Sequence, residues 1–176
     1  MRLWTAEQRD TLFDTLDRDA FHLELQDAYR VDSEDESYRR WKHGEPPDPS
    51  DCDRPWLRQI KAVADSGRTV RRVRVVSVPA SEYIRYAYAG TADNLAAGED
   101  IRWLPRHLLP AGLVLPAEGR DWWLFDDRLL AIGHLDERGN PLGSEISTDT
   151  ALVRQCASVR DRLWAIAIPH HKYRPI

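Results

Sequence analysis

The chain has 176 residues, a formal net charge of −4, 42% hydrophobic and 31% charged residues, and seven tryptophans. That length suits one domain spanning residues 1–176 with a sizeable core, and the tryptophan content excludes disorder, which pairs high charge with few aromatics. No apolar run approaches a membrane span and residues 1–7 carry no leader-like apolar segment, so the expectation is a cytoplasmic protein without membrane contact; the negative balance disfavours nucleic acid unless a local basic face exists.

Thr5 and Gln8 form the pattern of a capping box, with Leu12, Phe13 and Leu16 behind it, which predicts a helix from about Thr5 to Arg18. Phe21-His22-Leu23-Glu24-Leu25 alternates apolar and polar residues, as a strand with one buried face does; His22 and Glu24 then read as a solvated pair. From Asp32 to Asp53 the chain is acidic, with eight Asp or Glu against three Arg or Lys, and Asp32 or Ser33 is placed to cap a short helix through Tyr38 and Trp41. Three prolines and a glycine make residues 43–50 a loop. A helix follows from Pro55 to Ser66, carrying Trp56, Ile60 and Val63 on one side before Gly67.

From Arg54 to Arg74 the balance reverses to seven Arg or Lys against one Asp, a block read first as solvated surface. Within it lies the organising stretch, a strand over residues 69–78 whose valines 73, 75, 76 and 78 make a near-continuous apolar run, as in strands covered on both faces. Arg72 and Arg74 share a face of that strand and require carboxylates, phosphates or carbonyls as partners. Pro79 ends the strand, a helix from Ala80 to Ala89 crosses over, and a second short strand follows at residues 101–104. Residues 108–116 read as an irregular apolar segment or an edge strand; residues 122–132 read as two strands joined by the Asp126-Asp127 turn, the start of a meander. The last helix runs from Ala151 to Ile168, with Leu152, Cys156, Val159, Leu163 and Ile166 as its stripe, and residues 170–176 are expected to be a flexible tail.

Cys52 and Cys156 fall in a polar loop and on that stripe, so they read as independent thiols, and without clustered histidines they supply no zinc set. No Walker loop, dinucleotide fingerprint, nucleophile elbow or zinc-helix motif occurs, so neither metal nor cofactor is expected and a standard enzyme is disfavoured. Tyr83, Arg85, Arg102, Trp103, Arg106, Trp122 and Trp123 offer a stacking and phosphate-binding surface, although tryptophans in a chain of this size read first as core.

Almost end to end the chain resembles the actinobacterial domain of unknown function 6879 family. The matching residues are 20–24 with Tyr29, 72–79 with 83–85, 97–104, and 121–127. That resemblance implies no reaction but does imply a context, since members are often encoded beside helix-turn-helix regulators. More distantly, the second half is similar to one half of a phospholipase D-like domain, whose signature is His-x-Lys, four residues, Asp, six residues, Gly-Ser-x-Asn. With Asp126 as the motif's Asp, Gly133 takes the Gly, His134 the Ser and Asp136 the Asn. The nucleophilic His then falls on Gly119 and the phosphate-binding Lys on Asp121; shifting the frame to Asp127 gives Arg120 and Trp122. The resemblance implies a scaffold that has lost its chemistry. Because such sites are built from two halves, it also raises a homodimer.

The fold expected is α/β or α+β, a mixed sheet of about five to seven strands flanked by helices. The leading function is a non-enzymatic regulatory or protein-interaction domain, partner of a helix-turn-helix regulator. One alternative is a phosphodiester or nucleic-acid binder, or a degenerate enzyme, using Arg72, Arg74, Arg102 and Arg106 around Asp126 and Asp127. Another is a small-ligand sensor with an aromatic pocket.

Overall fold

A computed structural model describes residues 2–29 and 35–176. The expected cap at Asp32 or Ser33 lies outside the described residues. Seven strands form one mixed sheet in the order β6-β5-β4-β1-β2-β3-β7. Three neighbours are parallel: β1 (Asp19–Glu24), β2 (Thr69–Val76) and β3 (Glu99–Pro105). An antiparallel meander of β4 (Trp122–Phe125), β5 (Leu129–Leu135) and β6 (Pro141–Ser147) extends from β1, and β7 (Ile168–Pro169) closes on β3. The helices are α1 (Ala6–Asp10), α2 (Asp35–Lys42), α3 (Pro55–Asp65), α4 (Glu82–Ala96) and α5 (Thr150–Ile166).

The valine run of β2 explains its central place, since alternate residues face two covered sides of the sheet. On one side Val73 and Val75, with Phe21, Leu23, Trp122 and Leu124, pack under the stripe of α5 formed by Val153, Cys156, Val159 and Leu163. Burial there pushes the Cys156 thiol up to about 12, as befits a core residue. The opposite side is split in two. Phe13, Ile60, Val63, Val70, Trp123 and Phe125 form one cluster under α3, while Val76, Ile84, Ile101, Trp103 and Tyr173 form another under α4. Charged side chains occupy the gap between them.

Several expected boundaries move. The first helix keeps its capping box, with the Gln8 amide donating to the Thr5 hydroxyl at 3.2 Å, but stops at Asp10 and passes through a 3₁₀ turn at Thr11–Phe13. That turn delivers Phe13 edge-on to Trp56, Trp123 and Phe125, with centroids 5.2 to 5.5 Å apart. β2 ends at Val76 because the Ser77 amide leaves the ladder to donate to Asp27 at 2.7 Å. α4 runs on past Ala89 and Gly90 to Ala96, with the Thr91 hydroxyl donating back to the Ala87 carbonyl at 2.7 Å. α5 stops at Ile166, which frees Ile168 and Pro169 to pair with β3. Nor does the segment 170–176 have the contacts of a loose tail: Tyr173 is buried and stacked on Trp103 at 5.2 Å, and the Ala80 amide donates to the Ile176 carbonyl at 2.6 Å.

Candidate functional site

Alternation along β1 and β2 sends His22, Glu24, Arg72 and Arg74 to the same side of the sheet, and parallel register sets His22 beside Arg72 and Glu24 beside Arg74. Glu99, at the head of β3, reaches the same place. Arg72 donates to Glu24 at 2.5 Å and to Glu99 at 2.7 Å, and Arg74 Nε lies 3.0 Å from the second Glu24 oxygen. Asn94 of α4 donates to the remaining Glu99 oxygen at 2.8 Å. Aromatic rings flank the cations, with Arg72 5.7 Å from Trp123 and 5.9 Å from Trp56, and Arg74 5.5 Å from Trp103. Burial works against the charge on Arg72, but Glu99 and Glu24 outweigh it and hold its guanidinium protonated, above its ordinary range.

Of the predicted solvated pair, Glu24 is therefore buried and His22 largely so. Helices pack on both faces of the sheet around β1, α5 on one and α3 on the other, so the face that carries His22 and Glu24 is largely covered and opens only into a cleft. His22 stacks on Trp123 at 4.1 Å, and burial, followed by the charges of Arg72, Arg9 and Arg74, keeps its imidazole neutral. Its Nδ1 is 3.4 Å from Glu24. His22 Nδ1, Glu24 Oε2 and Arg74 Nε are buried without an aligned hydrogen bond, although the last two face each other as an ion pair.

These groups line a cleft of about 480 Å³, together with Arg9, Tyr29, Tyr83, Asp121, Trp123 and Gly133. Asp121 accepts from the Leu25 amide at 2.8 Å and from the Tyr29 hydroxyl at 2.5 Å. Burial, reinforced by the charge of Glu24, pushes the Asp121 carboxyl up to about 6 despite those donors, and burial likewise raises the Tyr29 phenol well above its usual range. His134 also lines the cleft, with Nε2 3.1 Å from Glu145. Three positions of the motif alignment, Asp121, Gly133 and His134, thus converge on this cleft. The nucleophile's position holds Gly119, and the cation's position holds a carboxylate. Among the described residues no group of three or more His, Cys, Asp or Glu is arranged to hold a metal ion.

Of the residues expected to share a surface, Arg72, Arg74 and Tyr83 meet in the cleft, to whose lining Trp122 and Trp123 also contribute. Trp122 and Trp103 are core on opposite sides of the sheet, and Trp123 is buried behind His22. Arg102 faces α5, its guanidinium 3.9 Å from the Trp164 ring centroid. Arg85 folds back on the Ala80 carbonyl at 2.9 Å, and Arg106 donates to the Leu25 carbonyl at 2.6 Å. Asp126 caps the far end of β1 by accepting the amides of Asp17, Arg18 and Asp19, which hold its carboxyl low although burial opposes its charge; Asp127 pairs with Arg160. The ring of four arginines around two aspartates is not assembled, because Asp126 and Arg106 lie at opposite ends of β1 and Arg102 lies on the other side of the sheet. Sequence reasoning missed Glu24 and Glu99 as partners; the need for counterions on the Arg72 face was visible, but strand register decides which carboxylates supply them.

The model of the family described as Domain of unknown function (DUF6879) matches residues 7–175, and the chain belongs to that family. A search of curated proteins returns no match. Among solved structures, a phospholipase D family member, Nuc, from Salmonella typhimurium is similar over 94% of this chain and 88% of its own, with a TM-score of 0.54 and 11% identity. The two share a phospholipase D-like α+β fold.

Proposed function

We propose that this member of the domain of unknown function 6879 family is a non-enzymatic regulatory domain of actinobacteria that acts by protein interaction, with a helix-turn-helix regulator as its partner. One observation carries the non-enzymatic part. The aligned nucleophile position is Gly119 and the aligned cation position is Asp121, which lines the cleft, while the cleft's arginines are already engaged, Arg72 by Glu24 and Glu99, Arg74 by Glu24 and Arg9 by Asp10. A phosphodiester entering there meets the carboxylates of Glu24 and Asp121 and arginines that are already paired, and the aligned nucleophile position offers no side chain, which supports a domain without the phospholipase D chemistry. The partner is supported by the genomic context that the family resemblance implies. No helix is long and apolar enough to cross a membrane among the described residues.

The test is size-exclusion chromatography with light scattering, on the protein alone and mixed with the helix-turn-helix protein encoded nearest to it, beside an assay with bis(p-nitrophenyl) phosphate. A stoichiometric complex without turnover is expected. Turnover that survives purification and disappears in Asp121→Asn overturns the non-enzymatic reading, and absence of a complex overturns the partner. A small-ligand sensor is the second reading, favoured by the ligand-sized volume of the cleft and the unaligned buried atoms of His22, Glu24 and Arg74. Native mass spectrometry of freshly purified protein checks it by looking for a bound molecule released on denaturation.

A further inference from the structure

We infer that the cleft lined by Arg72 and Arg74 binds a small neutral molecule that carries a carbonyl beside an N–H, the edge of a lactam or cyclic imide. This deepens the small-ligand reading and rests on it. The cleft is balanced in charge but not in hydrogen bonds. Two guanidinium groups, those of Arg72 and Arg74, face two carboxylates, those of Glu24 and Glu99. Arg72 donates through Nε to Glu99 and through Nη1 to Glu24, and among the described residues its Nη2 has no acceptor. Arg74 meets Glu24 through Nε, which leaves both of its Nη groups without an acceptor among the described residues. The two side chains are only 9% and 12% exposed, so these donors sit where an unmet hydrogen bond is costly.

Those donors call for an acceptor, and a neutral one fits better than an anion. Glu24 Oε2, ion-paired with Arg74 but not aligned with it, and His22 Nδ1 are themselves buried without an aligned hydrogen bond, so donors and acceptors stand together. Burial and the charge of Glu24 already push the Asp121 carboxyl up, and a further negative charge beside it meets the same opposition. A carbonyl oxygen takes the guanidinium N–H groups, the adjoining N–H donates to Glu24 or to the neutral imidazole of His22, and no net charge has to be buried. Ala131, Pro141 and Leu142 line the same cleft and give the rest of the molecule an apolar wall. A volume of about 480 Å³ admits a heterocycle of this kind.

The test is isothermal titration of the full chain with uracil and hypoxanthine, which carry that edge, with pyrimidine and purine, the same rings without it, and with sodium acetate and sodium phosphate. Saturable binding of uracil or hypoxanthine is expected, without binding of pyrimidine or purine. Arg74→Lys keeps a cation facing Glu24 but removes the fork, and His22→Phe keeps a ring against Trp123 but removes the nitrogens; each should weaken the binding about tenfold or more. A circular-dichroism melt shows that each variant is folded, and if Arg74→Lys does not fold His22→Phe decides. No saturable binding of either lactam, or unchanged affinity in the folded variants, overturns the inference. Acetate or phosphate binding more tightly than either lactam overturns the neutral occupant in favour of an anion. Native mass spectrometry of freshly purified protein separates the two levels. A co-purified molecule of another class overturns this inference and spares the small-ligand reading, whereas no co-purified molecule together with no binding of any probe overturns both.

Discussion

Glu24 serves two arginines with one carboxylate, and the three side chains are almost wholly removed from water. Removing one member of a buried ionic group leaves the others charged and unpaired, which costs about 3–5 kcal/mol. Glu24→Ala should lower the unfolding free energy by that amount in urea titrations, with Arg72 keeping only Glu99; a loss below about 1 kcal/mol shows that water or rearrangement replaces the carboxylate. Asp121 makes a pH prediction of the opposite kind. Its folded value of about 6 lies above the ordinary value of an unfolded aspartate, so between about pH 4 and pH 6 the native state holds a proton that the unfolded chain has lost. Its contribution is therefore present below pH 4 and disappears as pH rises through 6, on the order of 2–3 kcal/mol. Asp121→Asn removes that slope, so the stability difference between variant and wild type should grow in the variant's favour from pH 4 to pH 7. A constant difference across that range refutes the assignment.

At the scale of elements, close approach of α3 to the turn between α4 and β3 sets the spacing of the layer that covers the ionic group. Gly98 sits in that turn at φ +101°, and a Cβ built on it comes 2.5 Å from Ala64 Cβ of α3. Gly98→Ala therefore combines an unfavourable backbone region with overpacking, together about 2–4 kcal/mol. Adding Ala64→Gly should return part of the loss by removing the clash while leaving the backbone penalty; thermal melts of the single and double variants check this, and an unaltered melting temperature in Gly98→Ala sinks it. The elements themselves were mostly legible, because α3, β2 and α5 have apolar periodicities that agree with their caps and stops. What local pattern did not reveal was tertiary demand: α1 breaks off so that Phe13 can turn inward, and α4 continues past Gly90 with Thr91 buried in its next turn. His22 and Glu24 were misread for a related reason. A strand with alternating polarity looks half-wet until the helices packed on both faces of the sheet are seen to cover it.

For the whole molecule, the distribution of charge makes a testable prediction on the nucleic-acid question that composition left open. The basic block from Arg54 to Arg74 is largely paired within the chain: Arg71 with Asp19 and Arg72 and Arg74 with Glu24 on the sheet, Arg68 on the Leu16 carbonyl, and, at the surface, Arg58 with Asp53 and Lys61 with Asp65. Arg102 is likewise committed to Trp164 on the α5 side of the sheet. Outside that block Arg39 and Arg128 also face carboxylates, at 2.7 Å each. Binding to a duplex gains its affinity from phosphate neutralisation and counterion release, which requires cations free to meet phosphates. With a net charge of −4 and these cations already neutralised, a 20-base-pair duplex should show no saturable binding by anisotropy below about 100 μM protein at 100 mM salt, weaker than ordinary non-specific DNA-binding proteins. Low-micromolar binding whose salt slope falls by about one unit in Arg72→Ala or Arg74→Ala would mean that the buried ion pairs open to phosphate. Phosphate would then have to displace Glu24 from Arg72 and Arg74 within the cleft they line, and the phosphodiester-binding reading would replace the interaction domain.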